Sequence, residues 1–334
     1  MSLTSLILHK PIRRLFRETF VKPRTRSDYP LLVPRVSLNP SRIGTAFDYV
    51  LRFYLGRLTE SSHTRAWTAE EGLKRLKVGS RVFERGRLCL ERTKVAVGLY
   101  ERTGRVTKVL LRGAIDLATL DLAVRVGPHI IKEADFFRPF DEEITELRAL
   151  IDLARRRRIF RANQTCVLSP TFGEASALCL GADADLILDR GLFEIKTTAK
   201  MTVDHYHFDQ LIGYYTLMTL AGVDSPYGSI SSDQIDKLCI YYSRYGRIVE
   251  YRIDDIIDPQ TFPSFVKQFC EMACSYSPIR REYYQSFSWH HCRAWAEEIS
   301  PTAVIRESPP SGSGASLTSD ALIADMPVGL RRTR

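Results

Sequence analysis

The chain has no apolar run long enough to cross a lipid bilayer, so we expect no membrane partner. It has no Gly-x4-Gly-Lys-(Ser/Thr) loop and no Gly-x-Ser-x-Gly turn, so neither a P-loop ATPase motor nor a Ser-His-Asp hydrolase is indicated. No secretory apolar region begins the sequence, and its seven cysteines form an odd set without a regular framework. We therefore expect a cytoplasmic protein kept in a reducing environment.

Negative charge is in the minority. The 334 residues contain 48 Lys and Arg against 39 Asp and Glu, a net charge of +9. A basic balance suits a polyanionic partner such as nucleic acid. Many proteins without such a partner are equally basic, so the charge supports this interpretation without deciding it.

The clearest pattern lies in the middle of the chain. Residues 184–188 and 192–196 are short apolar runs separated by Asp189-Arg190-Gly191, which predicts a β-hairpin. Successive side chains of a strand point to opposite faces, so the position of the turn decides which residues lie opposite one another.

Either turn position gathers three charged groups on one face. A two-residue loop at Asp189-Arg190 places Asp185 opposite Glu194, and a loop at Arg190-Gly191 places Asp185 opposite Lys196. The opposite face takes the apolar side chains, which are Leu186, Leu188, Phe193 and Ile195.

These residue types are typical of a metal site. Two close carboxylates repel each other unless a hard divalent cation such as Mg²⁺ or Mn²⁺ lies between them. Such a cation lowers the pKa of a bound water, and a neighbouring lysine can orient that water or stabilise the transition state. The alternative is a surface hairpin with a solvated charged face and an ordinary salt bridge.

A helix is predicted after the hairpin, from about residue 204 to residue 220, with Gly222 placed to end it. Gln210 and Tyr214 are four residues apart and therefore share one stripe of this helix. The neighbouring stripe is apolar and predicts the buried side, with Leu211, Tyr215 and Met218.

Three motifs follow one another over about residues 183–214: an Asp, then Glu-Ile-Lys-Thr, then Gln-x3-Tyr. In this order the chain resembles the PD-(D/E)XK nuclease superfamily and, within it, the RecB-type exonuclease branch. The resemblance implies an α/β fold with a restriction-endonuclease-like αβββαβ core, a small mixed sheet and helical additions. It also implies that Asp185 and Glu194 bind Mg²⁺ or Mn²⁺, that Lys196 assists catalysis, and that Gln210 and Tyr214 position the strand or the active-site groups.

The same branch carries an upstream helix with Gly-Thr-x-x-His, in which the His binds metal. Here the matching segment, residues 44–48, ends in Asp48, which can also ligate Mg²⁺. Glu84 is a competing candidate for this ligand. Asp183 shares a face with Asp185 and is an alternative to it as ligand or as a supporting carboxylate.

Some RecB-type nucleases hold an iron–sulfur cluster, which draws attention to the Cys and His residues near the end of this chain. They are Cys270, Cys274, His290, His291 and Cys292. Their spacing lacks the Cys-x2-Cys signature of a tight metal loop. Cys270 and Cys274 are four apart in a predicted helix, where cysteine is commonly a small apolar residue, so a metal site here is the less favoured interpretation.

The remaining segments organise around this centre. Residues 1–27 are basic and predict a flexible N-terminal arm, 28–299 the nuclease-like domain, and 300–334 a disordered tail rich in Pro, Gly and Ser. Residues 60–135 predict an insertion or subdomain in which 95–100 and 106–111 could be strands around Thr103-Gly104.

Further elements are predicted from local patterns. Helices are expected at 141–158, 262–273 and 280–298, a first core strand at 166–169, and a second hairpin at 237–243 and 247–253.

The sequence therefore predicts a metal-dependent deoxyribonuclease, with DNA as partner and room for protein partners in a repair, recombination or defence complex. The alternative is a catalytically weak or inactive nucleic-acid-binding protein on the same fold. A third option is hydrolysis of RNA, because both nucleic acids present phosphates and differ here only in the 2′-hydroxyl.

Overall fold

The computed structural model describes residues 2–26, 28–59, 62–64, 66–137, 141–160, 165–179, 181–202, 204–225 and 228–276. The predicted helix at 280–298, the group at 290–292 and the predicted tail at 300–334 lie outside these residues. The chain is an α/β protein built on a mixed sheet.

In chain order the elements are α1 (Leu3–Ile7), α2 (Lys10–Thr19), α3 (Pro40–Leu58), β1 (Ser62–Thr64), α4 (Thr68–Arg75), α5 (Arg81–Thr103), α6 (Lys108–Arg125), α7 (Asp141–Arg157), β2 (Cys166–Leu168), β3 (Leu186–Leu188), β4 (Gly191–Lys196), α8 (His205–Ala221), β5 (Val223–Ser225), β6 (Gly228–Ile230), β7 (Lys237–Tyr242), β8 (Arg247–Arg252), α9 (Ile253–Ile256) and α10 (Phe262–Ser275). Short 3₁₀ helices occur at Pro128–Ile130, Glu133–Phe136, Gly173–Cys179 and Ser232–Gln234.

The main sheet has the strand order β1-β2-β3-β4-β7-β8. Strand β3 pairs antiparallel with β2 and β4, whereas β4 pairs parallel with β7 across the crossover helix α8. Strand β8 returns antiparallel to β7 around Gly246, whose φ of 55° is a left-handed conformation that glycine adopts easily. The predicted first strand, both hairpins and the helices at 141–158, 204–220 and 262–273 are confirmed.

Helices cover both faces of this sheet. One face buries Ile187, Leu192 and Ile240 in a core shared with α1, α2, α8 and α10. The other face buries Leu186, Phe193 and Tyr241 in a core shared with α3, α5, α6 and α7. Because successive side chains of a strand point to opposite faces, the strands contribute apolar residues to two separate cores.

The segment 60–135 is largely helical, and the strands expected at 95–100 and 106–111 are wrong. The first lies within α5, and the second covers the N-terminal cap and first turn of α6. Gly104 adopts a φ of 67° and ends α5 as a left-handed cap, so the glycine predicted as a hairpin turn separates two helices instead. Helices α4 and α6 pack so closely that a Cβ at Gly72 would lie 2.1 Å from the Leu120 carbonyl oxygen.

The N-terminal segment is not a flexible arm in the described structure. Helices α1 and α2 bury Leu6, Ile12 and Phe16 against α8 and α10, while the arginines of α2 face outward. The mixture of Arg and apolar residues in this segment is therefore an amphipathic pattern, with the apolar stripe in the core.

No helix among the described residues is long and apolar enough to span a membrane. In α10, Cys270 is fully buried in the core and Cys274 is half-buried beside it, as expected for small apolar side chains.

Candidate active site

The β3–β4 hairpin has the register that a two-residue loop at Asp189-Arg190 requires. Leu186 pairs with Phe193 and Leu188 with Gly191, so continuing the ladder by one residue places Asp185 opposite Glu194. Asp189 adopts a φ of 50°, a left-handed conformation that Asp tolerates better than most residues. The charged groups therefore share the face that α8 covers.

Asp185 lies directly before β3 and is anchored from the opposite strand. Its Oδ2 accepts a hydrogen bond of 2.6 Å from the backbone N–H of Ile195. Burial raises the pKa of Asp185 well above its usual value, and repulsion from Glu194 and Asp48 raises it further. The carboxylates are thus crowded at this point.

Glu194, Lys196, Gln210 and Tyr214 form one continuous chain of hydrogen bonds. Lys196 Nζ donates to Glu194 Oε1 at 2.6 Å and to Gln210 Oε1 at 3.0 Å. Gln210 Nε2 in turn donates to Tyr214 Oη at 2.8 Å. The amide of Gln210 therefore links β4 to α8.

Electrostatics hold the lysine of this chain in its charged form. Burial raises the pKa of Glu194, and the attraction of Lys196 opposes that rise. Burial opposes the charged form of Lys196, but the pull of Glu194 and Asp185 outweighs it and raises the pKa of the ammonium. Lys196 is therefore a cation fixed beside the carboxylates.

Tyr214 is buried at the inner end of the chain. Its ring stacks on Phe172 at a centroid distance of 5.6 Å, and burial raises the pKa of its phenol well above the usual value. The phenol is therefore neutral, and its oxygen accepts the hydrogen bond of the Gln210 amide.

Helix α3 brings Asp48 to the same place. Asp48 forms an ion pair with Arg52, one helical turn further on, and both side chains are mostly buried. The other carboxylate oxygen of Asp48, Oδ1, is buried and has no hydrogen-bond partner among the described residues.

A cavity of about 980 Å³ joins these groups. Its charged lining residues are Asp48, Arg52, Glu70, Glu71, Lys74, Arg75, Arg125, Asp183, Asp185, Glu194 and Lys196. Asp183 lies on the exposed rim of this cavity. Glu84 does not line it and is paired instead with Arg87 on the outer side of α5.

Several lining residues have no counterpart in the motifs of the sequence. They are Arg52, Trp67, Lys74, Arg75 and Arg125. Of these residues, only Arg52 is predictable from local sequence, because a residue four positions after Asp48 lies on the same side of a helix. The others reach the cavity through the packing of α4 against α6 and of α6 against α3, which local patterns do not reveal.

The residues present fit a divalent cation by their chemistry. No group of three or more His, Cys, Asp or Glu in the described part of the chain is gathered closely enough to hold a metal as the side chains stand. Mg²⁺ needs only one or two protein carboxylates, because it keeps several waters. The unpartnered Asp48 Oδ1 and the crowding around Asp185 are the features that such an ion would relieve.

No protein-family model, no curated protein and no solved structure matches this chain.

Proposed function

We propose that this protein is a divalent-metal-dependent nuclease that hydrolyses phosphodiester bonds of DNA. The observation that carries the proposal is the gathering of Asp185, Glu194, Lys196 and Gln210 in one cavity, with Asp48 arriving from a separate helix. Paired carboxylates beside a fixed lysine are suited to phosphate chemistry.

The order of elements supports a restriction-endonuclease-like core. After α3, the chain forms the antiparallel strands β2, β3 and β4 of the main sheet, then the crossover helix α8 and the parallel strand β7. Strand β1 is added at the edge of this sheet. This succession corresponds to the αβββαβ arrangement that the motif order implies.

The division of labour follows from the contacts. A bound Mg²⁺ or Mn²⁺ would be held by one or two of the carboxylates Asp185, Glu194 and Asp48 together with waters, and it would lower the pKa of a water and offset charge on the phosphate. Lys196 has three N–H donors, of which Glu194 and Gln210 accept two, so the third can hold a water or a phosphate oxygen. Gln210 and Tyr214 keep the ammonium in place.

The test compares wild type with Lys196→Ala and Lys200→Ala on end-labelled single-stranded DNA, double-stranded DNA and RNA, in Mg²⁺, Mn²⁺ or EDTA. Lys200 is an exposed lysine outside the cavity and serves as the matched control. We expect metal-dependent cleavage of DNA by wild type and Lys200→Ala. Lys196→Ala should lose about 100-fold or more, as for removal of one preorganised donor. Full metal-dependent activity of Lys196→Ala would refute the assignment.

A second candidate is a nucleic-acid-binding protein without chemistry. It is favoured by the pairing of Arg52 with Asp48 and of Lys196 with Glu194, since each cation neutralises a carboxylate that a metal would need. In the same experiment, tight retention of DNA by wild type and Lys196→Ala without cleavage would support it.

A further inference from the structure

Arg52 carries a buried donor that the protein leaves unused. Its Nη2 contacts Asp48, but its Nε is buried and has no hydrogen-bond partner among the described residues. Leaving such a donor unpaired is unfavourable unless a ligand completes it. Arg52 lines the cavity of the candidate active site, so a ligand can reach the guanidinium.

The unused donor lies next to an unused acceptor. Asp48 Oδ1, on the residue that Arg52 contacts, is also buried and unpartnered among the described residues. The unpaired donor of Arg52 could bind an anion, and the unpaired oxygen of Asp48 could bind a cation that accompanies this anion. A phosphate group accompanied by a divalent ion has this character.

We propose that Arg52 binds a backbone phosphate of the substrate strand, a role that rests on the proposed nuclease function. The guanidinium has five N–H donors in a planar fork, so contact with Asp48 leaves donors for phosphate oxygens. The side chain lies over the ring of Tyr49, with Arg52 Cζ 5.6 Å from the ring centroid, which is in the range of a cation–π contact. Tyr49 is itself fixed, because its hydroxyl donates to Asp121 Oδ1 at 2.6 Å and accepts from the Ala69 N–H at 3.1 Å.

Three further cationic side chains line the cavity beside Glu70 and Glu71 and extend the binding surface for a polyanion. Lys74, Arg75 and Arg125 project from the last turns of α4 and α6 with exposed side chains. The ion pairs of Lys74 and Arg75 with Glu71 are long, 3.6 Å and 3.8 Å, and such exposed pairs contribute little. Arg125 lies 3.5 Å from the buried Asp121 and keeps more than half of its own side chain exposed. Trp67 adds an aromatic surface on which a base can stack. These features suit a strand with several phosphates better than a single phosphate ion.

The experiment measures binding of a fluorescein-labelled single-stranded oligonucleotide in Ca²⁺, across a series of salt concentrations. Wild type is compared with Arg52→Gln, with Arg52→Lys, and with Arg102→Gln, which removes an exposed arginine of α5 as a matched control. We expect Arg52→Gln to weaken binding about ten-fold or more, as for loss of a charged hydrogen bond. Its salt slope should fall by about 0.7, the loss of one phosphate contact on a single strand.

Arg52→Lys separates a loss of binding from a loss of folding, because lysine keeps a cation beside Asp48 but lacks the planar guanidinium. It should bind less tightly than wild type with a nearly unchanged salt slope. If both variants bind with the affinity and slope of wild type, the inference is wrong, whatever their thermal stability. Absence of cleavage by wild type in Mg²⁺ and Mn²⁺ would instead refute the proposed function, and the binding difference would still report on Arg52.

Discussion

At the residue scale, the carboxylates that this chain buries differ in what compensates them. Asp209 on α8 is 2% exposed, and its Oδ2 lies 3.3 Å from Nε of Arg17 on α2. Burial raises the pKa of Asp209 to about 6, and the attraction of Arg17 offsets only part of that effect. The folded protein therefore favours the protonated acid more than the unfolded chain does.

The sign of the pH effect follows from this difference. An acid with a raised folded pKa contributes its stability at low pH and loses it as the pH rises through the folded value. Between about pH 4 and pH 6 we expect wild type to lose up to about 3 kcal/mol of unfolding free energy relative to Asp209→Asn, an upper bound set by the pKa shift.

Urea unfolding of wild type and Asp209→Asn across this pH range checks the prediction. Asp255→Asn, which alters an exposed carboxylate, is the control and should run parallel to wild type. A constant difference between wild type and Asp209→Asn at every pH would contradict it.

At the element scale, the N-terminal helices are part of the core. Phe16 of α2 is fully buried and meets Phe265 and Phe269 of α10 edge-on, at centroid distances of 5.0 Å and 5.9 Å. Helix α1 packs against α8, the helix that carries Gln210 and Tyr214. Loss of this packing would therefore loosen the support of the candidate site.

We expect Phe16→Ala to lower the free energy of unfolding by about 3–5 kcal/mol, since it removes a buried aromatic ring and leaves a cavity. Val21→Ala is the matched control, because Val21 is 86% exposed and should change stability by less than about 0.5 kcal/mol. Denaturant titration of both variants measures the effect. Equal stability of Phe16→Ala and wild type would mean that the N-terminal segment folds apart from the core.

The elements also show how far local patterns reach. The β3–β4 hairpin was predictable because face parity and a polar turn depend on neighbours in sequence. Helices α5 and α6 were not, because β-branched residues such as Val95 and Val106 flank a glycine that reads equally as a hairpin turn or a helix cap. Tertiary packing against α3 resolves that ambiguity.

Some residues of the candidate site are likewise predictable from local sequence, and others are not. Asp185, Glu194, Lys196 and Gln210 follow from spacing within one supersecondary unit, and the structure brings them together. Asp48 follows only from the resemblance of residues 44–48 to Gly-Thr-x-x-His. The positions of Lys74, Arg75 and Arg125 at the cavity depend on contacts between helices distant in sequence, as the close approach at Gly72 illustrates.

At the scale of the whole molecule, the positive charge of the chain is not concentrated in the cavity. The net charge is +9, yet six carboxylates and five cationic side chains line the cavity. Without a metal ion the cavity is thus slightly negative and offers little attraction to a phosphate backbone.

We therefore expect a single-stranded oligonucleotide to bind about ten-fold or more tightly in Ca²⁺ than in EDTA, because the ion reverses the local charge. Fluorescence anisotropy measures the affinity, with KCl added to the EDTA samples to match the ionic strength. Equal affinities under both conditions would locate the strand on the outer surface rather than in the cavity.

A buried ion pair fixes the strand end on which the site depends. Arg244 and Glu146 are fully buried and paired. Arg244 also donates to the carbonyls of Val33 and Thr197, and Glu146 accepts from the N–H groups of residues 36 and 37. Helix α7, the segment before α3 and the end of β4 are thereby held together.

The register of the β3–β4 hairpin limits how this chain can diverge over evolutionary time. Its apolar positions can exchange Leu, Ile, Val or Phe, because any apolar side chain of similar volume fills the core on that side. Inserting or deleting one residue within β4 would instead turn Lys196 into the core and Ile195 into the cavity. Descendants of this chain can therefore vary the composition of the hairpin freely, while its length stays under strict constraint.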